Sequence, residues 1–185
     1  MKVLRWLVSF VVGFAGFGAL LYLRAPDAPG QQPESPLAAV LLVPEGYERL
    51  PDEVAGGGRL DEARAGRLLS VPAIPGFQDG LLRSWGRPRG KTPRAVVVLA
   101  VQLATPADAA ALFGRYRGVA QSPDLEEFET REGWVGFHQR ENGRFAQRVA
   151  FASGSRVFVV SVVTPKHESS TREVRALADR QAAAS

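Results

Sequence analysis

The sequence predicts an α+β domain, an antiparallel sheet of about five strands covered by helices, preceded by one transmembrane helix. Three observations predict it. The 18 residues from Trp6 to Leu23 hold Ser9 as their only strongly polar side chain. From Phe77 onward, alternating or continuous apolar stretches recur between turn-forming residues in the order ββαβββα. Two of those elements open with helix-start chemistry ahead of an apolar stripe, at Thr105 and at Ser170.

The N-terminal element places the rest. Lys2 and Arg5 precede the apolar run and Arg24 closes it, so residues 1–5 read as a cytoplasmic N-terminus and 6–23 as a membrane span. At 1.5 Å per residue this helix is about 27 Å long, close to the roughly 30 Å hydrocarbon core. Trp6 and Tyr22 sit near its ends, where amphipathic rings favour the headgroup level. A cleaved leader has the same charge and apolar order, but the small residues Ala25 and Ala28 are followed by Pro26 and Pro29, which disfavours processing. The span is therefore expected to be an uncleaved signal-anchor, with its C-terminal side extracytoplasmic. Ser9/Gly13 and Ala15/Ala19 are four residues apart, a spacing that lets two helices approach closely in a homodimer or with a partner helix. Such small residues are also simply common in spans.

Residues 24–36 read as a Pro-rich, semi-extended linker that holds the folded part clear of the bilayer. The extracytoplasmic domain is expected over 37–185. Its opening run, 37–43, reads equally as strand or helix, and the turn formers Pro44, Gly46, Pro51 and Gly56 to Gly58 follow. Residues 60–69 predict a short helix with Leu60, Ala63 and Leu68 inward. Residues 77–85 alternate as a strand, and 94–104, apolar on both faces, predict a central strand buried on two sides. Thr105, Pro106 and Asp108 supply an N-cap hydroxyl, a first-turn proline and a carboxylate at the third position of a helix to about Arg117. Ala109, Leu112, Phe113 and Tyr116 form its stripe. An acidic, exposed connection over 122–132 then leads to three strands, 134–140, 144–152 and 156–164. Their short turns, Asn142-Gly143 and Ser153-Gly154-Ser155, predict a meander. Ser170 and Glu173 predict a capping box for a last helix with Val174, Leu177, Ala178 and Gln181 on one face.

Three stretches, 76–86, 95–113 and 154–165, carry a family likeness in layout and spacing. They resemble the small extracytoplasmic domains of GC-rich actinobacteria with a PsbP-like sandwich fold. The resemblance spans about 105 residues, implies fold and placement, and transfers no site residue.

Composition narrows the chemistry. The chain has 185 residues, 23 Lys plus Arg against 19 Asp plus Glu, and no cysteine. Disulfides, thiol nucleophiles, Cys-ligated zinc, iron-sulfur clusters and lipoprotein anchoring are thereby excluded. The net charge of +4 is small and interspersed, so no nucleic-acid partner is expected. His138 and His167 are the only histidines and lack the spacing of a helical metal pair, so no metal and no cofactor are expected. No G-x-S-x-G elbow or phosphate-binding loop occurs. The five acids Asp124, Glu126, Glu127, Glu129 and Glu132 read as a solvated loop. The most specific charge feature is Arg83, Arg87, Arg89, Lys91 and Arg94, five cations in twelve residues with Trp85 among them and no acid. That loop is the candidate ligand-binding patch, for an anionic envelope ligand or an acidic protein partner. Its bland alternative is a soluble hairpin loop with Trp85 in the core. The chain is thus expected to be a membrane-tethered, non-enzymatic binding or accessory module. The alternatives are an envelope hydrolase whose site forms only in three dimensions, and a structural subunit that associates through its span.

Overall fold

A computed structural model describes residues 34–87, 94–123, 125–141, 144–164 and 170–185. The expected span over 6–23 and most of the linker lie outside the described residues. Among those described, no helix is long and apolar enough to cross a membrane.

The framework is one antiparallel sheet. Its elements are β1 (Glu48–Arg49), α1 (Asp52–Ala55), β2 (Gly58–Leu60), α2 (Glu62–Leu69), β3 (Phe77–Gly86), β4 (Ala95–Leu103), α3 (Pro106–Ala120), β5 (Glu126–Glu127), β6 (Val135–Glu141), β7 (Arg144–Ser153), β8 (Arg156–Thr164) and α4 (Thr171–Ala184). The order across the sheet is β1-β3-β4-β8-β7-β6-β5, with β2 also pairing β3. The five long strands are those expected from periodicity. The sheet has eight because β1, β2 and β5, of two or three residues each, extend its edges and are too short to show a period.

Both faces are covered, which is why β4 reads as continuously apolar. Leu99, Val101 and Leu103 pack with Leu112, Phe113 and Tyr116 of α3 and with Ala65 and Leu69 of α2. Val96, Val98 and Ala100 point the other way, into a cluster with Val174, Leu177 and Ala178 of α4. Val96, Val98, Val101 and Leu103 are fully buried, and each such side chain contributes about 1.5–3 kcal/mol of transfer free energy.

Local readings hold where local chemistry decides. The Thr105 Oγ1 accepts from the Asp108 amide at 3.1 Å and caps α3, which runs one turn past Arg117 to bury Ala120. Four expectations need correction. Residues 37–43 are neither strand nor α-helix: Pro36–Val40 is a 3₁₀ turn capped by the Ser35 hydroxyl, followed by extended chain. In α2 the buried residues are Ala65, Gly66 and Leu69, and Ala63 is exposed. The cause is the tight return after the helix, where the Val71 amide donates to the Gly66 carbonyl at 2.9 Å. A Cβ on Gly66 would lie 2.9 Å from the Val71 carbonyl oxygen, so the glycine must face inward. The acidic connection is partly sheet, since Glu126 and Glu127 pair with His138 and Phe137. Leu125 and Phe128 on either side anchor it, one to each apolar cluster. The capping box at α4 does not form: Ser170 makes no side-chain cap bond, and Glu173 is drawn instead to Tyr47 and Arg94.

Residues 34–42 form a strap across the α4 face. The Ser35 hydroxyl donates to Asp79 at 2.5 Å, and Asp79 also accepts from Arg59 at 2.8 Å. Gln181, fully buried on α4, accepts from the Leu42 amide at 2.9 Å and donates to the Val40 carbonyl at 2.7 Å. The chain arriving from the linker is therefore fixed at both ends of the strap.

Candidate functional site

The basic hairpin joins β3 to β4. Beyond the irregularity between Phe77 and Asp79, odd positions of β3 point toward the α4 face, so Leu81 and Trp85 join that core cluster. Trp85 is only 3% exposed, so it supports the hairpin from beneath and offers no surface ring. Arg83 is nearly buried and pairs with Glu34, and its Nε lacks a hydrogen-bond partner. The Arg83 hydrogen bond and charge hold the Glu34 carboxyl below its ordinary range. At the hairpin base Arg94 meets Glu173 at 2.7 Å, and the Tyr47 hydroxyl donates to the other oxygen of the same carboxylate at 2.7 Å. Arg87 lies over the Tyr47 ring, 5.3 Å from its centroid. Burial first, then the bond to Glu173, pushes the Tyr47 hydroxyl up to about 12. The three described arginines thus have partners within the fold. Arg89 and Lys91 lie outside the described residues.

Of the other singled-out groups, His138 packs against Phe128 with ring centroids 4.8 Å apart and sits opposite Glu126 and Gln147 in the ladders. His167, Asp124 and Asn142-Gly143 lie outside the described residues. Among those described, no group of three or more His, Cys, Asp or Glu side chains could hold a metal ion.

The structure adds a site that sequence reading does not locate. A hollow of about 270 Å³ opens between α4 and the turn that enters β6, lined by Glu129, Thr130, Arg131, Trp134, Arg175 and Asp179. Its floor is aromatic. Trp134 stacks on Phe151 at 4.4 Å with an interplanar angle of 17°, and Phe151 stacks on the buried Phe158 at 5.4 Å. The Arg131 guanidinium lies over Trp134, 5.1 Å from the centroid, and contacts Asp179 at 3.4 Å. Arg175 lies over Phe128 at 5.6 Å, with its Nε buried and unpartnered. The one available signal is that Arg175 and Asp179, four apart, flank the buried stripe of α4 on one side.

A second hollow, about 420 Å³, is bounded by Arg59, Leu60, Asp61, Phe77, Gln78 and Asp79. Its inner carboxylate is engaged by Ser35, Arg59 and the Gly80 amide. Asp79 therefore holds the start of the strap.

With the architecture in place, the fold can be compared with that of a solved structure. The extracellular domain of PknH from Mycobacterium tuberculosis superposes with a TM-score of 0.55 at 11% identity, covering 82% of this chain and 98% of that one. The chain shares its fold with an extracellular domain. At this identity the likeness carries fold alone, that of an actinobacterial extracellular domain, and does not single out the PsbP-like layout. No protein-family model and no curated protein matches the chain.

Proposed function

We propose that the chain is a single-pass, N-terminally anchored protein that presents a non-enzymatic binding or accessory domain on the extracytoplasmic side of the cell membrane. The observation that carries this reading is the coupling of an 18-residue apolar run, led by Lys2 and Arg5, to a domain with the fold of an extracellular domain. The strap supports it mechanically, because the chain coming from the linker is fixed by Glu34, Ser35 and Gln181 as soon as it reaches the sheet. The domain is thereby held at a defined entry point on a short tether.

Ligand contact at the basic hairpin would rest on Arg89 and Lys91, since Arg83, Arg87 and Arg94 have intramolecular partners. The test is alkaline carbonate extraction of membranes combined with protease treatment of intact cells carrying a C-terminal tag. The reading requires the protein to stay in the membrane pellet and the tag to be lost from outside. A protein released by carbonate, or a tag cut only after lysis, would overturn it.

A further inference from the structure

We propose that the hollow floored by Trp134 is a binding site for one neutral pyranose ring of an envelope polysaccharide. That the polysaccharide belongs to the envelope rests on the outward placement proposed above. The chemistry of the site stands without it.

The floor is a rigid platform. Trp134 is backed by Phe151, which is 1% exposed, and that ring by fully buried Phe158. Its backbone is fixed as well: the Trp134 amide donates to the Arg131 carbonyl at 3.1 Å and Arg117 donates to the Trp134 carbonyl at 3.4 Å. Arg131 lies over the outer side of the ring, and its side chain is 66% exposed with a long contact to Asp179. An exposed pair of this kind is weak and readily replaced.

The rim selects the ligand. Arg131 and Arg175 balance Glu129 and Asp179, so the site has no net formal charge. An anion would face two carboxylates, and a cation would displace one guanidinium only to meet another. A pyranose avoids both costs. Its C–H face is attracted to the negative face of the indole, and its perimeter of hydroxyls both donates and accepts. Carboxylates that only accept and guanidinium groups that only donate then all find partners. Arg175, whose guanidinium lies over Phe128, brings one such donor group to the rim. A hollow near the lower end of ligand-site volumes takes a single ring.

The test uses the full chain in lipid nanodiscs with ¹⁵N-labelled tryptophan, which has three indoles, Trp6, Trp85 and Trp134. Maltotriose, cellotriose and chitotriose are titrated, with the cationic glucosamine trimer and inorganic phosphate as controls. At least one neutral trisaccharide should shift the Trp134 indole signal saturably, with a dissociation constant in the millimolar range, and leave buried Trp85 unmoved. Trp134→Ala should abolish the response. Asp179→Ala, at an exposed helix position that keeps the fold, should weaken it about tenfold. The proposal is overturned if no neutral trisaccharide moves the Trp134 signal, if only phosphate or glucosamine trimer does, or if Asp179→Ala binds as wild type. Sugar binding by a chain whose domain faces inward would refute the placement and keep the site; outward placement without sugar binding would do the reverse.

Discussion

Replacing Gln181 with methionine keeps side-chain volume in a fully buried position and removes two hydrogen bonds, to the Leu42 amide at 2.9 Å and the Val40 carbonyl at 2.7 Å. A net contribution of about 1 kcal/mol per bond, plus part of the penalty for leaving the two backbone groups unpaired, gives about 2–3 kcal/mol. For a domain of this size each kcal/mol moves the melting temperature by about 2–4 °C, so a fall of roughly 4–12 °C is expected. The loss should be local as well as global. Hydrogen exchange at the Leu42 amide should accelerate more than at the Leu37 amide, which the Ser35 hydroxyl holds at 3.1 Å. Gln181→Glu separates packing from donor chemistry. A buried carboxylate cannot donate to Val40, so at neutral pH this variant should be less stable than the methionine one. Its folded-state pKa is raised by burial, so the cost of this substitution relative to wild type is least in acid and grows as pH rises through that pKa. A methionine variant that melts within about 1 °C of wild type would refute the clamp. The point where the chain enters the domain should not move, because Glu34 and Ser35 still hold the start of the strap.

Three further outcomes follow from the same geometry. Gly66→Ala would stabilise an isolated helix by about 1 kcal/mol, yet its Cβ would lie 2.9 Å from the Val71 carbonyl oxygen, so thermal melting should show destabilisation. Gly136→Ala brings a Cβ within 2.5 Å of Thr130 Cγ2 and 2.6 Å of the Phe128 ring; a loss of about 1–3 kcal/mol, with displaced His138 and Phe128 NMR signals, is expected, and unchanged signals would contradict the packing of β5. Tyr47 has a folded pKa raised from 10.0 to about 12, so its contribution is intact below 10, where the unfolded hydroxyl begins to ionise, and is lost as pH rises toward 12. The difference between wild-type and Tyr47→Phe phenolate absorbance should therefore show this late step, and a Tyr47 curve centred near 10 would contradict the burial of the hydroxyl and its bond to Glu173.

The long elements were legible because their signals are local and repeated. β4 carries apolar residues on both faces over nine positions, and a strand can do so only between two layers. The Thr105 cap and the stripe through Tyr116 fix α3 from within its own sequence. Glu173 shows where local reading fails. Its spacing from Ser170 fits a capping box, but Arg94 and Tyr47, 79 and 126 residues away, offer charge-assisted bonds to the carboxylate. The hydroxyl and amide at the helix start could not compete. The Trp134 hollow was invisible for a related reason. It joins the turn before β6, a core ring on β7 and two positions of α4, and no spacing in the chain announces that meeting. In the basic hairpin the charge pattern was plain, but the sequence could not show that Glu34, Glu173 and Tyr47 would engage its described arginines.

The placement of the domain is tested most directly by cysteine labelling, because the natural chain contains no cysteine and each introduced thiol reports alone. Gly118 is exposed on α3 with open space around its Cβ, and Val3 precedes the apolar run. In intact cells a membrane-impermeant maleimide should modify the Gly118→Cys variant, and should modify the Val3→Cys variant only after permeabilisation. Labelling of Gly118→Cys that also requires permeabilisation would contradict an outward-facing domain.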